Sequence, residues 1–227
     1  MKFITVSGPP SSGKTSVICR VIESFSTDKN KTGVVKFDCL MTEDDKLYKQ
    51  LGVKVKKGLS GALCPDHFFI SNIEDCFKWG LDEGLDILIS ESAGLCNRCS
   101  PHIKEITALC VIDNLSGHNT PRKVGPMLKS ADIVIITKGD IVSQAEREVF
   151  SFRVKSVNPR AIIMHVNGLT GQGAEELARL FMQDADVTGM KEKRLRFAMP
   201  MALCSYCLGE TRIGEEYQKG NTRKMKI

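Results

Sequence analysis

Eight residues near the start of the chain, Gly8-Pro9-Pro10-Ser11-Ser12-Gly13-Lys14-Thr15, satisfy G-x-x-x-x-G-K-[ST] without a mismatch. The pattern has a physical reason. Glycines let the backbone curl until successive N–H groups face a β-phosphate, and the N-terminus of the following helix adds positive potential. The lysine reaches the β/γ-phosphates and the threonine hydroxyl binds Mg²⁺. An apolar run precedes the motif and a helical pattern follows it, which is the context it requires; the alternative is a Gly/Pro turn that matches by chance. Gly8, Ser11, Ser12, Gly13, Lys14, Thr15 and Ser16 are therefore expected to bind a nucleoside triphosphate, with Lys14 exposed on its loop.

Magnesium needs further oxygens, and a parallel sheet presents ligands at the ends of its strands. Asp38 closes one strand candidate and Glu91 follows another. With Thr15 they are the expected Mg²⁺ ligands, and Lys14, Thr15, Asp38 and Glu91 the expected catalytic set. For each acid the alternative is a solvated loop residue. Gly94 would let a γ-phosphate approach the backbone. Thr137-Lys138-Gly139-Asp140 follows an apolar strand as the guanine-reading N-K-x-D element does: Asp140 would accept from guanine N1 and N2 while the Lys138 stem packs over the ring. Thr137 stands where Asn is usual. A structural turn is the alternative here.

Nine cysteines, an odd number, argue against a disulfide framework and for buried thiols, metal ligation or redox work. Cys19, Cys39, Cys76 and Cys110 stand alone in apolar or amphipathic stretches and read as structural, although Cys39 adjoins the acid at 38. Cys96/Cys99 and Cys204/Cys207 form two C-x-x-C pairs, and Cys64 lies three residues before His67. Cys204-Ser205-Tyr206-Cys207-Leu208-Gly209 has the form of a metal knuckle, and two such pairs can build a Cys₄ site for zinc or an iron–sulfur cluster. A thiol redox pair, or an inert coincidence, competes with this reading.

The elements that must position these residues follow from apolar periodicity. Strands are expected at residues 2–7, 33–39, 85–90, 107–112, 133–137 and 161–166, mostly short apolar runs without polar alternation, as in strands covered on both faces. Helices are expected at about 15–26, 73–83, 142–157 and 173–184. The alternation predicts an α/β fold, a mostly parallel, doubly wound P-loop sheet with flanking helices. After Gly189 the periodicity fails, and residues 191–194 look like a linker into a short cysteine-bearing tail. The expected division is therefore a P-loop domain over 1–188 and a tail over 189–227.

Composition narrows the class. The chain has 227 residues, 42% hydrophobic and 26% charged, which excludes disordered and collagen-like readings. No apolar run approaches the roughly 20 residues that span a bilayer, and the first residues lack the cleavage site of a secretory signal. The expectation is a cytoplasmic protein with no membrane partner. From Asp186 onward nine Lys/Arg face five Asp/Glu, so the net charge of +5 is concentrated in the tail. A basic end without nucleic-acid-reading motifs argues against nucleic acid as a partner.

Taken together, these segments resemble the nickel-insertion GTPases of urease and hydrogenase maturation, UreG and HypB. The stretch 33–45, with Asp38, Thr42 and Asp45, resembles their strand and switch. Gly61-Ala62-Leu63-Cys64-Pro65-Asp66-His67 resembles their Gly-x-Cys-Pro-His metal segment, with Asp66 as an extra residue. Glu91-Ser92-Ala93-Gly94 is similar to their Glu-Ser-Gly-Gly, and Pro121-Arg122-Lys123-Val124-Gly125-Pro126 to their Pro-Arg-Lys-Gly-Gly-Pro. Asn167-Gly168-Leu169-Thr170-Gly171-Gln172-Gly173 resembles their last nucleotide loop, which adds Asn167 and Gly168 to the nucleotide residues. The resemblance covers about residues 3 to 185; neither C-x-x-C pair belongs to its urease-type pattern.

The resemblance implies a GTPase that dimerises around its metal and nucleotide sites and delivers a metal to a client metalloenzyme or its maturation factors. Cys64 and His67 then offer a thiolate and an imidazole to nickel or zinc, and a symmetric partner would supply the missing pair of ligands. The alternative is a turn holding a buried cysteine and a satisfied histidine. The expected function is a GTP-hydrolysing metallochaperone or maturation switch, using GTP, Mg²⁺, nickel or zinc, with an iron–sulfur cluster as a further option. Two other readings remain open from sequence: a nucleotide-regulated zinc or iron–sulfur binding module with little turnover, and a P-loop small-molecule kinase.

Overall fold

Strands that are apolar at consecutive positions send side chains to both faces of a sheet, so each face needs its own cover. The computed structural model, which describes residues 1–25, 29–94, 97, 99–197, 209–218 and 222–227, has that arrangement. Its strands are β1 (Lys2–Ser7), β2 (Thr32–Asp38), β3 (Lys54–Leu59), β4 (Ile87–Ser92), β5 (Thr107–Asp113), β6 (Ile133–Thr137) and β7 (Ile162–His165). The described residues form one seven-stranded sheet in the order β3-β2-β4-β1-β5-β6-β7, and its pairings are parallel. All the strands therefore end on one edge, where the expected site residues lie.

On one face Ile4 and Val6 of β1, Ile87 and Ile89 of β4 and Ile133 and Ile135 of β6 pack with α1 (Lys14–Glu23) and α7 (Ala174–Gln183). On the other, Phe3, Val35, Phe37 and Leu88 pack against Phe68, Phe69, Ile73 and Phe77 of α3 (Pro65–Asp82). Val134 and Ile136 meet Leu128 of α5 (Pro126–Lys129) and Phe150 and Val154 of α6 (Gln144–Val157). Each such side chain contributes roughly 1.5–3 kcal/mol relative to exposure. Cys76 and Cys110 are buried in these layers as small hydrophobes; burial pushes the Cys110 thiol up to about 12.

Among the described residues, one strand and three α-helices lie outside the sequence expectation. β3 is an edge strand whose three lysines gave it no apolar run; lysines on an edge oppose further pairing with another chain. The helix α2 (Asp44–Gln50) and the one-turn helices α4 (Thr120–Lys123) and α5 are too short to show a period. α3 also begins at Pro65, eight residues before the expected start. Proline at the first helical position is itself a start signal, so the Cys64–His67 segment is a helix N-terminus, with Cys64 as the N-cap.

Residues on either side of the expected linker, 191–194, pack on the domain. Val187, Met190, Leu195 and Ile213 join the α3 cluster, Leu195 bridges Ile103 antiparallel, and both outer nitrogens of Arg196 reach Asp132 at 2.6 Å. Nearer the end, Asn72 donates to the Arg223 carbonyl and accepts from Met225 N–H.

Candidate functional site

The loop between β1 and α1 wraps the Lys14 ammonium, which donates to the carbonyls of Gly8 at 3.0 Å and Pro9 at 2.8 Å. Lys14 is thus buried rather than exposed on its loop, and burial holds its pKa below the ordinary lysine value. Close packing explains two glycines. A Cβ on Gly94 would lie 1.7 Å from the Gly8 carbonyl oxygen, and one on Gly8 would lie 2.0 Å from that of Val111. The segment after β4 therefore rests directly on the phosphate loop.

Thr15 opens α1 with its hydroxyl 2.8 Å from Glu91 Oε1 and 3.1 Å from Asp44 Oδ2. Glu91 is completely buried. Lys36 Nζ donates to Glu91 Oε1 at 2.7 Å and lies 2.6 Å from Asp44 Oδ2, while Tyr48 donates to Glu91 Oε2 at 2.6 Å. Burial and the neighbouring Glu91 charge push the Tyr48 phenol up, so it remains a neutral donor. Asp38 borders the same cavity of about 530 Å³; its Oδ1 accepts from Cys39 N–H at 2.7 Å and its Oδ2 lies 3.9 Å from Lys36 Nζ. These carboxylate and hydroxyl oxygens are hard donors of the kind magnesium takes, and the Lys36 ammonium seated among them shows that they hold a cation.

Sequence reasoning missed Lys36, Asp44 and Tyr48. The available signal was one lysine inside the apolar run Val34-Val35-Lys36-Phe37. Asp45, part of the resemblance, pairs instead with Lys49 and Lys57; Asp44 is the acid that meets Thr15.

At the ends of β6 and β7, the Thr137 hydroxyl donates to the Ser12 carbonyl at 2.7 Å, and Lys138 Nζ donates to the Ser11 carbonyl at 2.9 Å. Both residues brace the phosphate loop. Asp140 is exposed and borders a neighbouring cavity of about 380 Å³ together with Asn167. The Asn167 side chain accepts from Leu169 and Thr170 N–H, and Gly168 lies over Ser16.

The segment expected to bind metal is tied to this site through backbone. Ser60 N–H donates to the Asp38 carbonyl at 2.9 Å and Gly61 N–H to that of Cys39 at 2.8 Å. Cys64 is half-buried and His67 buried on the first turn of α3, and burial lowers the His67 pKa. The inserted Asp66 is buried, which pushes its carboxyl up to about 7. Cys99 lies buried in the α3 cluster; Cys96, Cys204 and Cys207 fall outside the described residues. Among the described residues no three His, Cys, Asp or Glu side chains are placed to hold a metal ion. Three residues beyond Cys99, the buried His102 lies with Nε2 2.8 Å from Ser7 Oγ and Nδ1 3.1 Å from Ser130 Oγ.

A glycine-rich loop joining the first strand to a helix, with the acids Asp38 and Glu91 at neighbouring parallel strands, defines a P-loop nucleoside-triphosphate-binding protein. The CobW/HypB/UreG nucleotide-binding domain matches residues 2–165, and the chain belongs to that family. It is 51% identical, over 99% of its length and 96% of the relative's, to an uncharacterized protein of Methanocaldococcus jannaschii. It is 29% identical to the urease accessory protein UreG of Yersinia enterocolitica, covering 80% of this chain and 88% of that protein. Among solved structures, the hydrogenase maturation factor HypB of Archaeoglobus fulgidus shares the fold at a TM-score of 0.64 and 22% identity, covering 80% of this chain and 89% of that one. HypB from Helicobacter pylori in complex with nickel matches at 0.64 and 20% identity, covering 81% and 86%. Among the described residues no helix is long and apolar enough to cross a membrane.

Proposed function

We propose that this chain is a GTP-hydrolysing metallochaperone, a cytoplasmic maturation switch that assists insertion of nickel, a related metal or a metal cofactor into a client enzyme. One observation carries the reading: the strand end bearing Asp38 and Cys39 is hydrogen-bonded to Ser60 and Gly61, the start of the segment that carries Cys64 and His67. A change at the phosphates has a short covalent and hydrogen-bonded route to those two side chains. UreG and HypB among its relatives support the same assignment.

In this reading Lys14 and the loop amides hold the phosphates, and Thr15, Asp38 and Glu91 hold magnesium, which supplies charge compensation to the transferred phosphoryl group. Lys138, Asp140, Asn167 and Gly168 receive guanine. Cys64 and His67 supply two ligands, and a second copy of the chain supplies two more across a symmetric interface. The tail, residues 189–227, brings Cys204 and Cys207 to zinc or an iron–sulfur cluster, either with Cys96 and Cys99 of the same chain or across the dimer.

The test is metal analysis of protein purified anaerobically, combined with sedimentation with and without a non-hydrolysable GTP analogue. Nucleotide and metal together are expected to produce a dimer, and Cys64→Ala with His67→Ala to remove one metal per dimer. An unchanged monomer under all conditions, with metal content untouched by the double variant, would reject the shared site.

A further inference from the structure

Lys36 is the least expected residue of the phosphate site. The register of β2 on β4 sets it directly beside Glu91, and side chains of residues paired in this way emerge on the same face of a parallel sheet. Its neighbours Val35 and Phe37 point into the α3 layer, so Lys36 points toward α1 and the phosphate loop. A buried lysine is costly unless its charge is matched, and here it is matched by the oxygens a divalent ion would use. The Lys36 ammonium and the Thr15 hydroxyl share both partners: Glu91 Oε1, at 2.7 and 2.8 Å, and Asp44 Oδ2, at 2.6 and 3.1 Å.

Tyr48 holds the second oxygen of Glu91, while Oε1, which faces Thr15 and the cavity, already serves two donors, Lys36 and Thr15, and can take a metal only by giving up one of them. An ammonium has three protons. Two face Glu91 and Asp44; Asp38 Oδ2, at 3.9 Å, lies beyond hydrogen-bond reach of the third. Lys36 also borders the cavity beside Lys14 and Thr15, where that third N–H is available to a phosphate oxygen. One lysine among Asp38, Asp44 and Glu91 leaves the cluster short of positive charge, so Mg²⁺ is not repelled. It must compete.

We propose that Lys36 is a cation built into the magnesium position. Its ammonium organises Glu91, Asp44 and the Thr15 hydroxyl so that nucleoside di- or triphosphate binds without a divalent ion, and Mg²⁺ enters by displacing Lys36 from those oxygens. This rests on the nucleotide assignment above. Lys36 is a specificity-determining residue for the cation as well as a phosphate contact.

The experiment is binding of a fluorescent GTP analogue to the full chain in excess EDTA and across a Mg²⁺ titration. The wild-type protein should bind in EDTA within about tenfold of its Mg²⁺-saturated affinity, and Lys36→Met should lose at least about tenfold in EDTA, the scale of one charge-assisted hydrogen bond. The variant's response to Mg²⁺ should have its midpoint at lower concentration, because the competitor is gone. Lys36→Gln, which keeps a donor for Glu91 without the charge, should behave as Lys36→Met does. If neither variant folds by thermal melting, the wild-type comparison decides alone. Wild-type binding in Mg²⁺ that vanishes in EDTA would overturn the proposal and leave the nucleotide assignment standing, as would equal Mg²⁺ dependence in wild type and variants. Absence of binding under every condition would overturn the nucleotide assignment itself.

Discussion

The two ends of the nucleotide site are built differently. At the phosphate end, where β1, β2 and β4 finish, the charged groups of Lys14, Lys36 and Glu91 are buried and bonded within the protein. At the base end, beyond β6 and β7, Asp140 is exposed and Asn167 spends its side-chain oxygen on its own turn. In the proposed function phosphate is received by backbone amides and by side chains already gathered at the loop, so reorganisation on binding is small. Base recognition, in the same reading, would rest on side chains at the surface that acquire their partner only when the ring arrives. Affinity should therefore come mainly from the first end, and discrimination from the second.

The largest break in that comparison comes from Lys14→Ala. The ammonium compensates phosphate charge and also closes the loop on the Gly8 and Pro9 carbonyls. Each charge-assisted bond lost is worth about 1.5–3 kcal/mol, so triphosphate affinity should fall by at least about a hundredfold. Titration calorimetry with a non-hydrolysable GTP analogue measures this, with thermal melting to show that the variant folds. Unchanged affinity would remove the phosphate assignment.

A second break concerns what holds the phosphate end in place. Burial, reinforced by the positive charge of Arg196, lowers the pKa of His102 from 6.5 to about 4, against the opposing effects of the Leu109 carbonyl, Asp132 and Ser130. Between those values the unfolded chain takes up a proton that the folded protein does not, so stability falls as pH drops from about 6.5 toward 4 and is insensitive to this group above that window. One pKa unit corresponds to about 1.4 kcal/mol, which puts the full effect at about 3 kcal/mol. His102→Gln should flatten the acid limb of stability against pH in urea unfolding. It should also weaken nucleotide binding modestly, since His102 contacts Ser7 immediately before the loop. Identical acid limbs in wild type and variant would show that His102 does not carry this loss.

How far each region could be read in advance follows from how it is made. The phosphate loop is one contiguous motif, and the strands around it show as short, nearly unbroken apolar runs. Lys36 and Asp44 acquire their roles from the β2–β4 pairing and from where α2 begins, and neither fact is local in sequence. β3 was hidden by the same lysines that protect an edge, and the first turn of α3 by reading Cys64–His67 as a ligand segment before reading Pro65 as a helix start. The metal region was least legible. Two ligands of one chain do not make a coordination shell, and the remaining candidates are distant in sequence or belong to another copy.

Asp140 offers the smallest effect and the sharpest distinction between the two ends. Guanine presents N1–H and N2–H as an adjacent donor pair that one carboxylate can accept, whereas adenine has no such pair. A well-made pair of this kind is worth roughly 1–3 kcal/mol, so GTP should bind about tenfold more tightly than ATP, or better. Thr137 does not decide the matter, because its hydroxyl is engaged by the Ser12 carbonyl and braces the loop. Asp140→Asn should then weaken GTP toward the ATP value while leaving ATP affinity and thermal stability unchanged, since the side chain is exposed. Competition of each nucleotide against a fluorescent analogue measures the ratio. Equal binding of GTP and ATP by the wild-type protein would mean that the base end does not discriminate; a parallel loss for both nucleotides in the variant would place Asp140 with the phosphate machinery and erase the contrast between the two ends.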